Sequence, residues 1–227
     1  MLPVVLIALL IAGWNNALHL APARRREFAV VAGVTTAAVA GGAWLSTWVD
    51  LSAGALDALP WAAATMTAGG LLALVARVAP RVGKSLADQR IVGMSRVRFV
   101  VHTALRIPLV SGLAEEILFR GLMWALLAPL FGTWWTLAVT SVAFGLWHVV
   151  VSAQQARRIG VHPPKWVTVN VLATLVAGFL LGLLRVATGG VWAPAAVHAL
   201  VNVAVAVASR IGAAHQRQAL VPVAVEG

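Results

Sequence analysis

Two adjacent carboxylates, Glu115 and Glu116, stand inside an apolar stretch that reads Ser111-Gly-Leu-Ala-Glu-Glu-Ile-Leu-Phe-Arg120. Two later apolar stretches each carry an imidazole with a companion four residues away, Phe144-Gly-Leu-Trp-His148 and His198-Ala-Leu-Val-Asn202. On a helix that spacing puts both members on one face. A carboxylate in or near hydrocarbon costs about 2.5–3.5 kcal/mol on insertion scales, which makes such a residue a functional candidate. Arg120 lies one turn after Glu116 and can pair with it; no basic residue stands at that spacing from Glu115. A carboxylate with an imidazole can hold and deprotonate a water, and a second imidazole with an amide can stabilise an oxyanion. Alternatively, Glu115, His148 and His198 form a ligand set for Zn²⁺ with a position open to water. Both schemes lead to hydrolysis of an amide. Ser111, Ser141 and Ser152 lack the Gly-x-Ser-x-Gly setting of an activated nucleophile.

These residues must be positioned by membrane helices. The chain has 227 residues, is 61% hydrophobic and only 11% charged, with a mean hydropathy of +0.90. Soluble domains carry about 25% charged residues. Helices satisfy every backbone group internally, and the long Ala/Leu/Val runs lack the alternation of a β-barrel. The expected fold is all-α, a polytopic transmembrane bundle of seven or eight helices in a single integral-membrane domain, with a catalytic core over about 99–210. The formal charge is +10, from 17 basic and seven acidic residues. Its distribution between apolar runs fits the positive-inside pattern and attraction to membrane lipids, with no call for nucleic acid. The absence of cysteine excludes disulfides and thiolate chemistry.

Apolar runs are expected at 2–20, 28–49, 61–78, 134–151, 166–186 and 191–209, with a longer one at 99–131. A span needs about 20 residues, so 99–131 exceeds one simple crossing; Pro108 and Gly112 offer a break. The segments 81–98 and 154–165 read as polar connections, and residues after 209 as a tail. Basic segments at 24–26, 81–98, 157–165 and 210–217 alternate with basic-poor ones at 50–60, 131–135 and 187–190. Seven crossings in a bacterial plasma membrane, N-terminus outside and C-terminus cytoplasmic, satisfy that alternation. The first run is expected to be a retained helix, because no basic residue precedes its apolar core and three arginines follow it. Tryptophans cluster near run ends, as interfacial anchors do. Counted from the cytoplasmic ends of their runs, Glu115, His148, His198 and Asn202 fall within about 15 Å of that surface.

The three motifs in this order, Glu115-Glu116-x-x-x-Arg120, Phe144-x-x-x-His148 and His198-x-x-x-Asn202, resemble the CPBP family. This family comprises the CAAX prenyl endopeptidases and the bacteriocin-processing or immunity-type intramembrane proteases, also called the ABI family. The resemblance covers about 113–202. It implies a helical bundle that cleaves membrane-associated peptides or proteins, with Glu115 and His148 activating water. His198 and Asn202 would stabilise the oxyanion or help to bind metal, and Glu116, Arg120 and Phe144 would be supporting residues. It leaves open whether the water is activated by glutamate alone or on Zn²⁺.

The same residues admit blander readings. Glu116–Arg120 can be an ion pair that fixes helix packing, Glu115 can be a second salt-bridge or snorkelling residue, and the histidines and Asn202 can bond between helices. His102, Asn170 and Arg185 have no partner that spacing identifies. A non-catalytic immunity or chaperone-like protein could use the cluster to bind peptides. A transporter could use Glu115 as its protonatable site, although no inverted repeat is evident.

Overall fold

A computed structural model describes residues 53–85, 88, 91 and 93–220. The runs at 2–20 and 28–49, and the fate of the first, lie outside the described residues. The described elements are all helical: α1 (Ala58–Val78), α2 (Pro80–Ser85), α3 (Arg96–Val101), two π-helical segments (His102–Ala114 and Ile117–Met123), α4 (Trp124–Trp147), α5 (Val149–Ile159), α6 (Pro163–Thr188) and α7 (Trp192–Leu220). Among the described residues four stretches are long and apolar enough to cross a membrane: Ala58–Val78, Arg96–Ile159, Pro163–Thr188 and Trp192–His215. The chain is therefore an integral membrane protein, helical throughout its described elements.

The described residues fall into two compact units. The first contains residues 53–56 and 114–194, the second 57–113 and 195–220. In the first, α4 and α5 pack on α6, and the second π segment packs on α4. Its core is Phe119, Met123, Leu127, Ala143 and Phe144, with Leu118, Phe131 and Trp147 against it. Thr136, Thr140 and Ser141 are buried in α4 and donate their hydroxyls to carbonyls one turn back. An apolar helix thereby carries hydroxyls without orphaned donors.

In the second unit α7 is the element that others approach. A β-carbon on Gly69 of α1 would sit 2.8 Å from the Ala204 Cβ, and one on Gly112 would sit 2.6 Å from the Ala199 Cβ. Ile91, Ile107 and Ala206 form the apolar core with Met94, Phe99 and Val203. Arg210 donates from Nη1 to the carbonyls of Ile91 (3.1 Å) and Met94 (2.5 Å) and lies over the Phe99 ring at 5.2 Å. Ser209 Oγ accepts the Asp88 amide at 2.6 Å. Two polar residues of α7 thus anchor the chain ahead of α3, whose N-terminus is capped by Ser95.

Several boundaries differ from expectation for identifiable reasons. No break occurs at Pro108 or Gly112; the chain passes through in π geometry. In an α-helix the proline ring meets the carbonyl four residues back; a wider turn moves that carbonyl away. The break is at Gly132, at φ 71° and ψ 174°, a conformation that glycine adopts without a β-carbon clash. Trp134 and Trp135 follow it, each 70% exposed, as interfacial anchors would be. The expected run at 134–151 is interrupted at His148. The first half of the expected connection 154–165 is the end of α5, which is capped by Gly160 in the left-handed conformation. It buries Ser152 and Ala156 and exposes Arg157 and Arg158. Mean polarity hides such a helix, whereas its period reveals it. The expected tail is helical too, since α7 continues to Leu220.

The Gly112 contact generates a test. Gly112→Leu is expected to cost about 1–3 kcal/mol by overpacking against Ala199. It should lower the thermal midpoint in detergent; an unchanged midpoint would show that the two helices do not touch there.

Candidate active site

The first unit builds its polar centre around a buried ion pair. Glu116 and Arg120 are both 0% exposed, and Arg120 Nη1 donates to Glu116 Oε1 at 2.9 Å. One turn separates them, so a single helix supplies both charges. Nη2 of Arg120 donates to the Gly178 carbonyl of α6 at 2.6 Å. The approach is close at this glycine: a β-carbon on residue 178 would lie 3.1 Å from Phe144 Cδ1 and 3.3 Å from Arg120 Nη2, so both neighbours would have to give. The guanidinium also lies 4.7 Å from the Phe144 ring centre and 5.8 Å from that of Phe119. In a dry site such cation–π contacts are worth up to about 2 kcal/mol.

Phe144 carries the geometry to His148. The two rings are 4.9 Å apart, and Phe119 meets Phe144 edge-on at 5.2 Å and Trp147 at 5.5 Å. His148 ends α4 with φ −95° and ψ 1° and begins α5, its carbonyl accepting the Ser152 amide at 2.9 Å. Its Nδ1 is 2.8 Å from the Phe144 carbonyl oxygen. A carbonyl only accepts, so Nδ1 is the donor. In the neutral ring Nε2 then carries the lone pair. The contact therefore sets the tautomer and directs Nε2 as an acceptor for a water proton or as a metal ligand.

Glu115 is half-buried beside Glu116 at the start of the second π segment. The candidate residues divide between the units: Glu115, Glu116, Arg120, Phe144 and His148 in the first, His198 and Asn202 in the second. His198 and Asn202 are both half-buried on α7. Within either unit, no three of the described His, Asp and Glu residues gather as a metal-ligand set. The donor chemistry of His148 nevertheless suits a metal, because its Nδ1 is already committed.

Other participants were not legible from spacing. Arg185 of α6 donates from Nε to the Arg120 carbonyl at 2.9 Å and lies 5.2 Å from the Trp124 ring centre. At the same junction the Trp124 amide turns back to the Gly121 carbonyl. Arg185 thereby braces the turn that carries Arg120. Its intramembrane charge marked it as costly, but its acceptor is a backbone atom 65 positions away. Asn170 donates to the Trp166 carbonyl within its own helix at 2.9 Å. Gly178 has no sequence signal beyond being a glycine in a helix.

Residues 97–204 match the family model described as type II CAAX prenyl endopeptidase Rce1-like. That segment is just under half of the chain and encloses the three motifs. No curated protein and no solved structure matches significantly. Over residues 97–204 the chain is thus similar to the CPBP, or CAAX protease, family.

Proposed function

We propose that the protein is an intramembrane endopeptidase that hydrolyses peptide bonds of membrane-associated peptides or proteins, with Glu115 as general base. The observation that carries this reading is the family match over 97–204, which encloses Glu115, His148, His198 and Asn202. The geometry of the first unit supports it: Phe144 fixes the His148 ring with Nε2 as the acceptor.

A water held by Glu115 and His148 loses a proton to Glu115 as its oxygen attacks the peptide carbonyl carbon. The resulting oxyanion is assigned to hydrogen bonds from the Asn202 amide and the His198 imidazole. Glu115 then returns the proton to the departing nitrogen as the C–N bond breaks, releasing a carboxylic acid and an amine, which ionise to carboxylate and ammonium. Glu116, Arg120 and Phe144 act through His148 and the helix of Glu115, as positioning residues. Zn²⁺, when bound, would be held by Glu115, His148 and His198 and would polarise the carbonyl and acidify the water. A non-catalytic peptide-binding role is not favoured by the family match. The basic segments support a cytoplasmic face at α5 and at the end of α7, the face from which substrate would enter.

Glu115→Gln keeps size and polarity but removes the base, and it should lower cleavage of a membrane-tethered peptide about 10²–10⁴-fold; full activity would remove Glu115 from the role. Exhaustive chelation of the active protein then decides how the water is held. Loss of activity that Zn²⁺ restores makes Glu115, His148 and His198 ligands, whereas survival leaves the water to Glu115 and His148.

Arg120→Ala alone strands Glu116 and should cost about 3–5 kcal/mol of stability. The double variant Glu116→Leu/Arg120→Met should recover much of that stability without recovering cleavage. Recovery of both would reduce the pair to packing.

Orientation is open to cysteine labelling, since the chain has no cysteine of its own. Arg158→Cys should react with a membrane-impermeant maleimide only when the cytoplasmic face is accessible, and Trp135→Cys only from the opposite face. Labelling of both from one side would overturn the assigned topology.

A further inference from the structure

Residues 96–109 carry a second feature that the proposed hydrolysis does not use. Positions four apart on this helical stretch form rows. Phe99 and Ile107, eight apart, both face the core that Ala206 and Val203 of α7 help to build. Val97, Val101, Leu105 and Leu109 form a different row, all exposed, from 49 to 74%. Between these two rows runs a third: Arg98, His102 and Arg106. Both arginines are exposed. Among the described residues neither has a carboxylate at ion-pair distance; the nearest carboxylate along the helix, Glu115, lies nine residues beyond Arg106. With seven acidic residues against 17 basic ones, the chain itself is short of counter-charge.

Length places this stretch near a membrane surface. From Arg96 to Phe131, ahead of the break at Gly132, the helical stretch runs for 36 residues, whereas a crossing needs about 20. A 20-residue crossing that ends at the tryptophan-flanked break begins near Gly112. The residues before it, 96–111, therefore lie at the headgroup level of the other face. There an exposed arginine beside an exposed apolar row meets phosphate and acyl chain together.

We propose that the Arg98–Arg106 row is a binding site for an anionic phospholipid. The two guanidiniums hold its headgroup phosphate, and its acyl chains cover the row Val97, Val101, Leu105 and Leu109. Two arginines with the separation of two turns offer forked donors that match phosphate geometry. Zwitterionic lipids carry the same phosphate but bring their own cation, so net negative charge is selected.

The test uses the full chain, purified in mild detergent from membranes that contain phosphatidylglycerol and phosphatidylcholine. Native mass spectrometry counts the lipids retained per chain. The wild type should retain phosphatidylglycerol in preference to phosphatidylcholine. Arg98→Gln/Arg106→Gln should weaken retention roughly 10- to 30-fold, about tenfold or less per arginine at the surface. Arg98→Lys/Arg106→Lys should keep most of it, which also guards against a variant that folds poorly. Arg157→Gln/Arg158→Gln removes equal charge from another exposed site and should leave retention unchanged. Unchanged retention in the Arg98/Arg106 double variant, or an equal loss in the Arg157/Arg158 control, overturns the proposal. Displacement by glycerol 3-phosphate at equal concentration would overturn the part assigned to the acyl chains. The readout is bound lipid, so it stands or falls apart from peptide cleavage.

Discussion

A guanidinium enclosed by apolar helices must find its counter-charge and its acceptors inside the protein. Arg120 meets that demand with Glu116 one turn back, the Gly178 carbonyl and the faces of Phe144 and Phe119. The demand organises the first unit. It brings the α6 backbone close at Gly178, where a β-carbon would crowd both Phe144 and the guanidinium, and it places Phe144 against the charge. Nε of Arg120 is buried with no hydrogen-bond partner among the described residues. An unfilled donor and two desolvated charges make this cluster a poor source of net stability. Its contribution is register: only one rotation of the helix and one height of α6 satisfy both the pair and the carbonyl.

The consequence reaches His148 through one ring. Phe144 is held between the guanidinium and the edge of Phe119, and its carbonyl receives the His148 Nδ1 proton. The helix ends at Trp147, and a carbonyl in its last turn is met by a side chain. The same contact that caps α4 selects the tautomer of the imidazole. An interaction needed for folding thereby prepares a nitrogen for chemistry, which is the relation expected of a supporting shell.

The sequence made much of this legible because cost is visible in composition. Glutamates, arginines and histidines in apolar runs stand out by insertion energy, and helical spacing joined Glu116 to Arg120 and Phe144 to His148. The hidden parts have no side-chain signature. Gly178 and the Arg120 carbonyl act as backbone atoms, and spacing rules do not reach across from α6. Helix boundaries were misplaced where average polarity stood in for period: α5 and the end of α7 are polar on one side and helical throughout. Pro108 read as a break because an α-helix cannot easily hold it, whereas a π turn can. The glycine that does break the chain, Gly132, is set by its left-handed φ, which sequence alone does not display.

Two further arginines show how a membrane chain short of acids houses its cations. Arg185 uses the Arg120 carbonyl and the Trp124 ring; Arg210 uses the carbonyls of Ile91 and Met94 and the Phe99 ring. Arg120 itself adds a carbonyl and a ring to its single carboxylate. Regular helices offer few such acceptors, because each carbonyl already receives an amide one turn on. Acceptors become accessible where the ladder is interrupted or where the chain leaves it. The Arg120 carbonyl lies at the π-to-α junction, and Ile91 and Met94 lie ahead of the Ser95 cap. For Arg185 and Arg210, irregular backbone and arginine therefore go together: the departure from α geometry frees the acceptor, and the arginine satisfies it, whereas Arg120 reaches Gly178 within the regular α6.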